Sequence, residues 1–183
     1  FDKVERHRFV ESFLWDKAYQ NVALKLLNGQ TISHPYTVAF QSQLLQIKQG
    51  DKLLEIGTGS GFQAAILSAM GAKVYSIERQ EVLYRKTSKL LESMDRKIVT
   101  FLGDGYRGLP NVAPFNKIIV TCGASEVPPT LLDQLAIGGI LVIPVGDASH
   151  TMKRYRRIDE KKYEEEIFGD FLFVPMLKEV VSK

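Results

Sequence analysis

One cysteine, Cys122, stands in a chain of 183 residues, so no internal disulfide is open to it, which fits a reducing compartment. The three histidines, His7, His34 and His150, are scattered and lack the paired spacing of a metal site. No run approaches the roughly 18 consecutive apolar residues that a membrane helix needs. The opening Phe1-Asp2-Lys3-Val4-Glu5-Arg6-His7 is too charged for a secretory leader. No repeat, low-complexity tract or Gly/Ser linker divides the chain. An excess of one charge is missing too. Lys and Arg number 24 against 21 Asp and Glu, a net +3 that permits a nucleic-acid surface without suggesting one. What is present is globular: 45% hydrophobic and 25% charged, at a length that suits one domain with its own core. The expectation is a single cytoplasmic domain over 1–183, monomeric, with no membrane or nucleic-acid partner.

From Lys52 onward, short apolar runs alternate with longer amphipathic ones. Lys52–Ile56, Lys73–Ile77, Ile98–Leu102, Lys117–Thr121 and Ile140–Val145 read as strands. Phe62–Met70 and Glu81–Met94 read as helices between them, and Pro128 opens a short helix through Gln134 that Gly138-Gly139 breaks. Such alternation predicts an α/β fold, a doubly wound and mostly parallel sheet covered on both faces. The charged run Lys153–Glu166 and the apolar return Phe168–Met176 predict a closing antiparallel hairpin at the sheet edge. Before Lys52 the pattern is weaker: a helix over Gln41–Ile47 and a loop over Asn28–Pro35.

Glu55-Ile56-Gly57-Thr58-Gly59-Ser60-Gly61 lies between the first strand and helix. Glycines there let the backbone turn sharply and approach a ligand, at the strand end where doubly wound folds bind theirs. The spacing is G-x-G-x-G, not the G-x-G-x-x-G of a dinucleotide fingerprint. An acid two residues ahead would repel a phosphate yet could pair with an ammonium group. That favours S-adenosyl-L-methionine, which has an amino-acid head and a sulfonium but no phosphate, over NAD. Glu78, about 20 residues on, can take both ribose hydroxyls in either cofactor class. Asp104, in Gly103-Asp104-Gly105, can accept from an adenine amino group. The bland alternatives are a tight turn without ligand, a solvated strand-end charge and a simple Gly-Asp-Gly turn.

The loop with Phe62-Gln63-Ala64-Ala65 resembles that of the protein-L-isoaspartate O-methyltransferases, as do Val74–Arg79 and Gly103–Gly105. These segments alone indicate only a class I methyltransferase. More specific is Gly29-Gln30-Thr31-Ile32-Ser33-His34-Pro35, similar to that family's own G-Q-T-I-S-x-P loop. Val4–Val10, Ala113–Phe115, Leu132–Leu135, Gly138–Gly146 and Phe173–Pro175 match in order. The resemblance implies transfer of a methyl group from S-adenosyl-L-methionine to the α-carboxylate of L-isoaspartyl residues in damaged proteins. The ester then collapses to a succinimide and reopens in part to aspartate, with S-adenosyl-L-homocysteine as co-product.

It also implies site residues. Ser33 matches the active-site serine, and its hydroxyl is expected to donate to the substrate carboxylate. Gln30, Thr31 and Ile32 match the segment that closes over cofactor and substrate. Glu55, Gly57, Thr58, Gly59 and Ser60 fall in the cofactor loop, Glu78 and Arg79 at the ribose, Asp104 and Gly105 at the adenine. A carboxylate is ionised at neutral pH, so the transfer needs neither general base nor metal. Three departures stand out: Asn21–Asn28 replaces a proline-rich stretch, His34 stands where glutamine is common, and Leu177 replaces a polar residue of some members. Val4–Val10 resembles a segment that follows helices in the family, so the chain is expected to lack a first helical portion. Two rival readings are kept open: a methyltransferase for RNA or a small molecule, and an inactive S-adenosylmethionine-binding homologue.

Overall fold

The computed structural model describes residues 2–26, 29–94 and 97–182. Its centre is a seven-stranded sheet: β3 (Lys52–Ile56), β4 (Lys73–Glu78), β5 (Ile98–Leu102), β6 (Phe115–Val120), β7 (Leu135–Val145), β8 (His150–Arg157) and β9 (Tyr163–Phe171). The order is β5-β4-β3-β6-β7-β8-β9. The first five strands in this row are parallel, and β7, β8 and β9 pair antiparallel in turn. The doubly wound, mostly parallel sheet with its antiparallel hairpin is therefore as the residue pattern predicts.

Strand alternation decides which side chains meet which layer. Leu53, Ile119, Ile140 and Val142 pack on one face with α1 (Pro35–Leu44), α2 (Phe62–Ala69) and α3 (Glu81–Glu92). Leu54, Ile118, Leu141 and Ile143 pack on the other with α4 (Pro129–Asp133). All eight of these strand residues are fully buried.

Three local expectations need correction. The first long helix is α1, not Gln41–Ile47: Pro35 takes the first position, where a missing N–H has no partner to lose. The amide of Tyr36 is satisfied instead by Asn21 Oδ1 at 3.0 Å. Gly138-Gly139 does not end a helix. β7 runs through the pair, with a register shift between Phe115 and Lys117 on β6. The expected loop Asn28–Pro35 carries a short strand, β2 (Thr31–Ile32), which pairs antiparallel with β1 (Leu24–Lys25) before it. Leu27 and Asn28, the end of the altered Asn21–Asn28 stretch, lie outside the described residues.

Two short 3-10 segments, Arg6–Phe9 and Ser12–Lys17, cross the α2 side of the molecule. Arg6 is 2% exposed and pins them there. Its Nε donates to the Ala18 carbonyl at 2.6 Å, and its guanidinium lies 5.0 Å from the centre of the Phe62 ring. Phe62 in turn opens α2 at the edge of the cleft described next.

Candidate active site

The strand order reverses between β3 and β6, and in doubly wound folds the ligand crevice forms beyond the carboxyl ends of such a pair. A cleft lies there. Its wall carries the Gln30–Ser33 segment, the Gly57–Ser60 loop, Glu78 and Arg79 after β4, Thr121 and Cys122 after β6, and the chain from Val174 to Leu177.

The glycine loop is held from below by backbone and from the side by hydroxyls. The amides of Gly57 and Thr58 both donate to the Ile77 carbonyl, at 2.9 and 3.1 Å. The Thr121 hydroxyl lies 2.9 Å from the Ile56 carbonyl and 2.7 Å from that of Gly57. Gly57 has φ +96°, and a Cβ there would stand 2.7 Å from Thr121 Oγ1. Gly61, at φ +84°, would place one 2.8 Å from Thr87 Cγ2 on α3. Both positions therefore require glycine, for conformation and for space.

Glu78 ends β4, is 5% exposed and faces the cleft. Its Oε2 accepts the Gly59 amide and its Oε1 the Gln80 amide, both at 2.9 Å. Two amides thus fix the carboxylate, and its remaining lone pairs can accept from a pair of hydroxyls.

Glu55 stands differently from its expected role. It is fully buried beneath the loop and does not line the cleft. Ser76 Oγ donates to its Oε2 at 2.5 Å and lies 2.6 Å from Thr58 Oγ1. Burial pushes its carboxyl up to about 8; the Ser76 bond opposes this and the nearby Glu78 charge adds to it. Burial thus shifts it toward its protonated form. Where the sequence suggests pairing with an ammonium group, the structure places Glu55 beneath the loop, supporting it through Ser76 and Thr58, and a sealed carboxyl favours its uncharged form.

Asp104 and Arg79 are likewise engaged. Asp104 Oδ1 accepts the Tyr106 amide at 2.9 Å and Oδ2 the Glu179 amide at 3.1 Å; only its neighbour Gly105 faces the cleft. Arg79 borders the cleft, but its guanidinium donates to the carbonyls of Glu179 and Lys178, at 3.0 and 3.2 Å. Both residues hold a C-terminal tail across the strand ends. The tail is secured further by Gly123 N to Val174 O at 2.8 Å and Met176 N to Gly123 O at 2.7 Å.

Ser33 follows β2 and is half-buried on the cleft wall. It does not cap α1, whose N-cap is His34 and which has no side-chain cap. Gln30 and Thr31 stand beside it on the wall, and Ile32, at 2% exposure, anchors the segment in the core.

Sequence reasoning missed Thr121, Val38, Phe62, Gln63 and the tail residues as cleft walls. For Thr121 the signal was available, since it follows the strand that flanks the reversal. Cys122 also lines the cleft, with burial pushing its thiol up to about 12.

The profile of the family described as Protein-L-isoaspartate(D-aspartate) O-methyltransferase matches residues 1–181. A protein-L-isoaspartate O-methyltransferase of Flavobacterium psychrophilum is 56% identical over 179 residues, 97% of this chain and 84% of the relative. That of Christiangramia forsetii is 53% identical over 178 residues, 96% of this chain and 83% of its own. Among solved structures, a protein-L-isoaspartate O-methyltransferase superposes with a TM-score of 0.86 at 24% identity, covering 94% of this chain and 58% of that one. A putative Plasmodium falciparum relative, in complex with S-adenosyl-L-homocysteine, gives 0.83 at 21% identity over 96% and 87%. These two share the fold, and the close bacterial relatives with the full-length profile carry the assignment: the chain belongs to the protein-L-isoaspartate(D-aspartate) O-methyltransferase family.

Proposed function

We propose that this chain is a protein-repair methyltransferase, transferring a methyl group from S-adenosyl-L-methionine to the α-carboxylate of L-isoaspartyl residues in damaged proteins. The observation that carries the reading is one cleft that joins the Gln30–Ser33 segment, the glycine loop and the Glu78 carboxylate. The charged groups on its wall are Glu78 and Arg79, and Arg79 is turned to the tail. An acid, hydroxyls and side-chain amides remain. That donor and acceptor set fits a cofactor with sugar hydroxyls, an amino-acid head and no phosphate.

When bound, the cofactor supplies an electrophilic methyl on a sulfonium. Glu78 accepts from the ribose hydroxyls, and the Gly57–Ser60 backbone lies close because its glycines leave no side chain in the way. Gly105 gives the adenine end a flat wall. Asp104 is assigned to the adenine end through the tail it holds, and Arg79 to the ribose end in the same manner. Ser33 donates a hydrogen bond to the isoaspartyl carboxylate. That carboxylate is already a nucleophile at neutral pH, so the protein's task is alignment and exclusion of water. Orientation of this kind is worth on the order of 7–11 kcal/mol. We further place the enzyme in the cytoplasm as a monomer, one domain over 1–183, acting on proteins rather than nucleic acid. Among the described residues no helix is long and apolar enough to cross a membrane.

The test is incubation with labelled S-adenosyl-L-methionine and two peptides, one isoaspartyl and one its normal aspartyl isomer. Label on the first alone is the expected result. Label on neither overturns the reading and leaves RNA, a small molecule or cofactor binding alone.

A further inference from the structure

A second recognition element stands where the glycine loop passes into α2. Gln63 is the second residue of that helix, is 8% exposed and lines the cleft. Its Nε2 donates to Ser42 Oγ on α1 at 2.8 Å. The Ser42 hydroxyl gives its one proton to the Val38 carbonyl, at 2.7 Å, so it meets Gln63 as an acceptor. That fixes the carboxamide, because the Nε2 end must face α1. Gln63 Oε1 is buried and has no partner among the described residues. Buried polar atoms are nearly always paired, so an acceptor left over on a residue of the cleft wall marks a place for a donor.

We propose that Gln63 Oε1 accepts a hydrogen bond from the ammonium of the cofactor's amino-acid head. The proposal rests on the cofactor reading above. Depth selects the head over the substrate polypeptide. Ser42 lies about 10 Å along α1 from Pro35, and Gln63 is bonded at the level of Ser42, beside the glycine loop. The polypeptide meets Ser33, which precedes Pro35 at the opposite end of the helix. Chemistry then selects the ammonium over the carboxylate of the head, since an amide oxygen only accepts and an ammonium only donates. The two acids nearest the loop are occupied elsewhere. Glu78 holds the Gly59 and Gln80 amides at the ribose end, and Glu55 is sealed beneath the loop and does not line the cleft. Ser42 holds the Gln63 carboxamide in place before any ligand arrives, so little side-chain order is lost on binding. Gln63 thereby becomes the residue that reads the amino group of the cofactor.

The experiment is calorimetry with three ligands: S-adenosyl-L-homocysteine, its analogue lacking only the amino group, and 5′-methylthioadenosine, which lacks the whole head. Gln63→Leu removes the acceptor. It is expected to weaken S-adenosyl-L-homocysteine roughly ten-fold and to leave the other two ligands within about two-fold. The gap between the amine and its deaminated analogue then narrows by the same factor, which isolates the contact between Gln63 and the amino group. Gln63→Met, close in length and without the carboxamide, is the second variant, and thermal melting of both checks the fold. Equal weakening of all three ligands would show that Gln63 only braces α2 against α1, and overturns the proposal. Unchanged affinity for all three overturns it as well, including the case in which KM for an isoaspartyl peptide rises and assigns Oε1 to a substrate N–H. Binding of none of the three to the wild type refutes the cofactor reading itself.

Discussion

Arg79 and Asp104 grip the same residue from its two ends: the Arg79 guanidinium donates to the Glu179 carbonyl, and Asp104 Oδ2 accepts the Glu179 amide. The two follow neighbouring strands, β4 and β5, and the tail is drawn across the gap between them. Val181 continues the attachment, donating its amide to the Arg79 carbonyl at 2.9 Å while its own carbonyl accepts from Glu81 at 3.0 Å.

This tie predicts the behaviour of Asp104→Asn. Both Asp104 oxygens accept from amides, so an asparagine must set one NH₂ against an N–H donor. A hydrogen bond to a charged group is worth about 1.5–3 kcal/mol, and tenfold corresponds to about 1.4. Hydrogen exchange at Glu179 is expected to quicken by about tenfold or more, with cofactor affinity falling beside it. Unchanged exchange at Glu179 and Val181 would mean that Asp104 does not hold the tail.

Glu78 and Ser33 separate cofactor binding from turnover. Glu78→Ala removes a carboxylate that accepts two amides and faces the cleft. Loss of charge-assisted bonds worth about 1.5–3 kcal/mol predicts affinity for S-adenosyl-L-homocysteine lowered by roughly 10- to 100-fold in calorimetry. Ser33→Ala is expected to lower kcat by a similar factor with cofactor affinity unchanged. Equal turnover in the serine variant removes Ser33 from the mechanism.

Gly61 is the most sensitive point of the loop. An added Cβ meets Thr87 Cγ2 at 2.8 Å and both Leu91 methyls within 3.2 Å, at φ +84°. Gly61→Ala combines left-handed strain with overpacking against α3, a loss of about 1–3 kcal/mol from each source. The midpoint in urea is expected to drop. Gly138→Ala, where no atom lies within 4 Å, has the same sign of φ without the clash and is expected to lose less.

The residues reveal the sheet and the glycine loop because both announce themselves in side chains. Apolar β-strand runs such as Lys52–Ile56 and Phe115–Val120 have few other uses, and positive φ at Gly57 and Gly61 demands glycine. The start of α1 was harder to read, since Pro35 is equally at home in a loop and at a helix opening. The tail reads as the end of the hairpin, Phe168–Met176, whereas β9 ends at Phe171 and Val174–Met176 turns onto Gly123 at the cleft. Its bonds are made by backbone amides and carbonyls of Val174, Met176, Lys178, Glu179 and Val181, which any residue type supplies. For the same reason the chain alone does not reveal that Arg79 and Asp104 also fasten the tail. Glu55 is legible only in part: the motif shows an acid, and only the fold shows that it is sealed beneath the loop, where burial raises its pKa.

That burial yields a pH prediction whose sign can be worked out. An unfolded glutamate titrates near 4.3, whereas the folded carboxyl of Glu55 is raised to about 8. Between these values the folded state holds a proton that the unfolded state has lost. The contribution of Glu55 to stability is therefore fully present below about 4.3 and declines as pH rises to about 8, by at most about 1.4 kcal/mol per pH unit. Glu55→Gln keeps the shape and cannot ionise. The stability difference between wild type and this variant, from urea unfolding at pH 5, 6, 7 and 8, is expected to move steadily against the wild type. Above pH 8 it becomes level. A difference that stays constant across this range would show that Glu55 is charged in the fold, and would restore it as a carboxylate able to meet the cofactor's ammonium group.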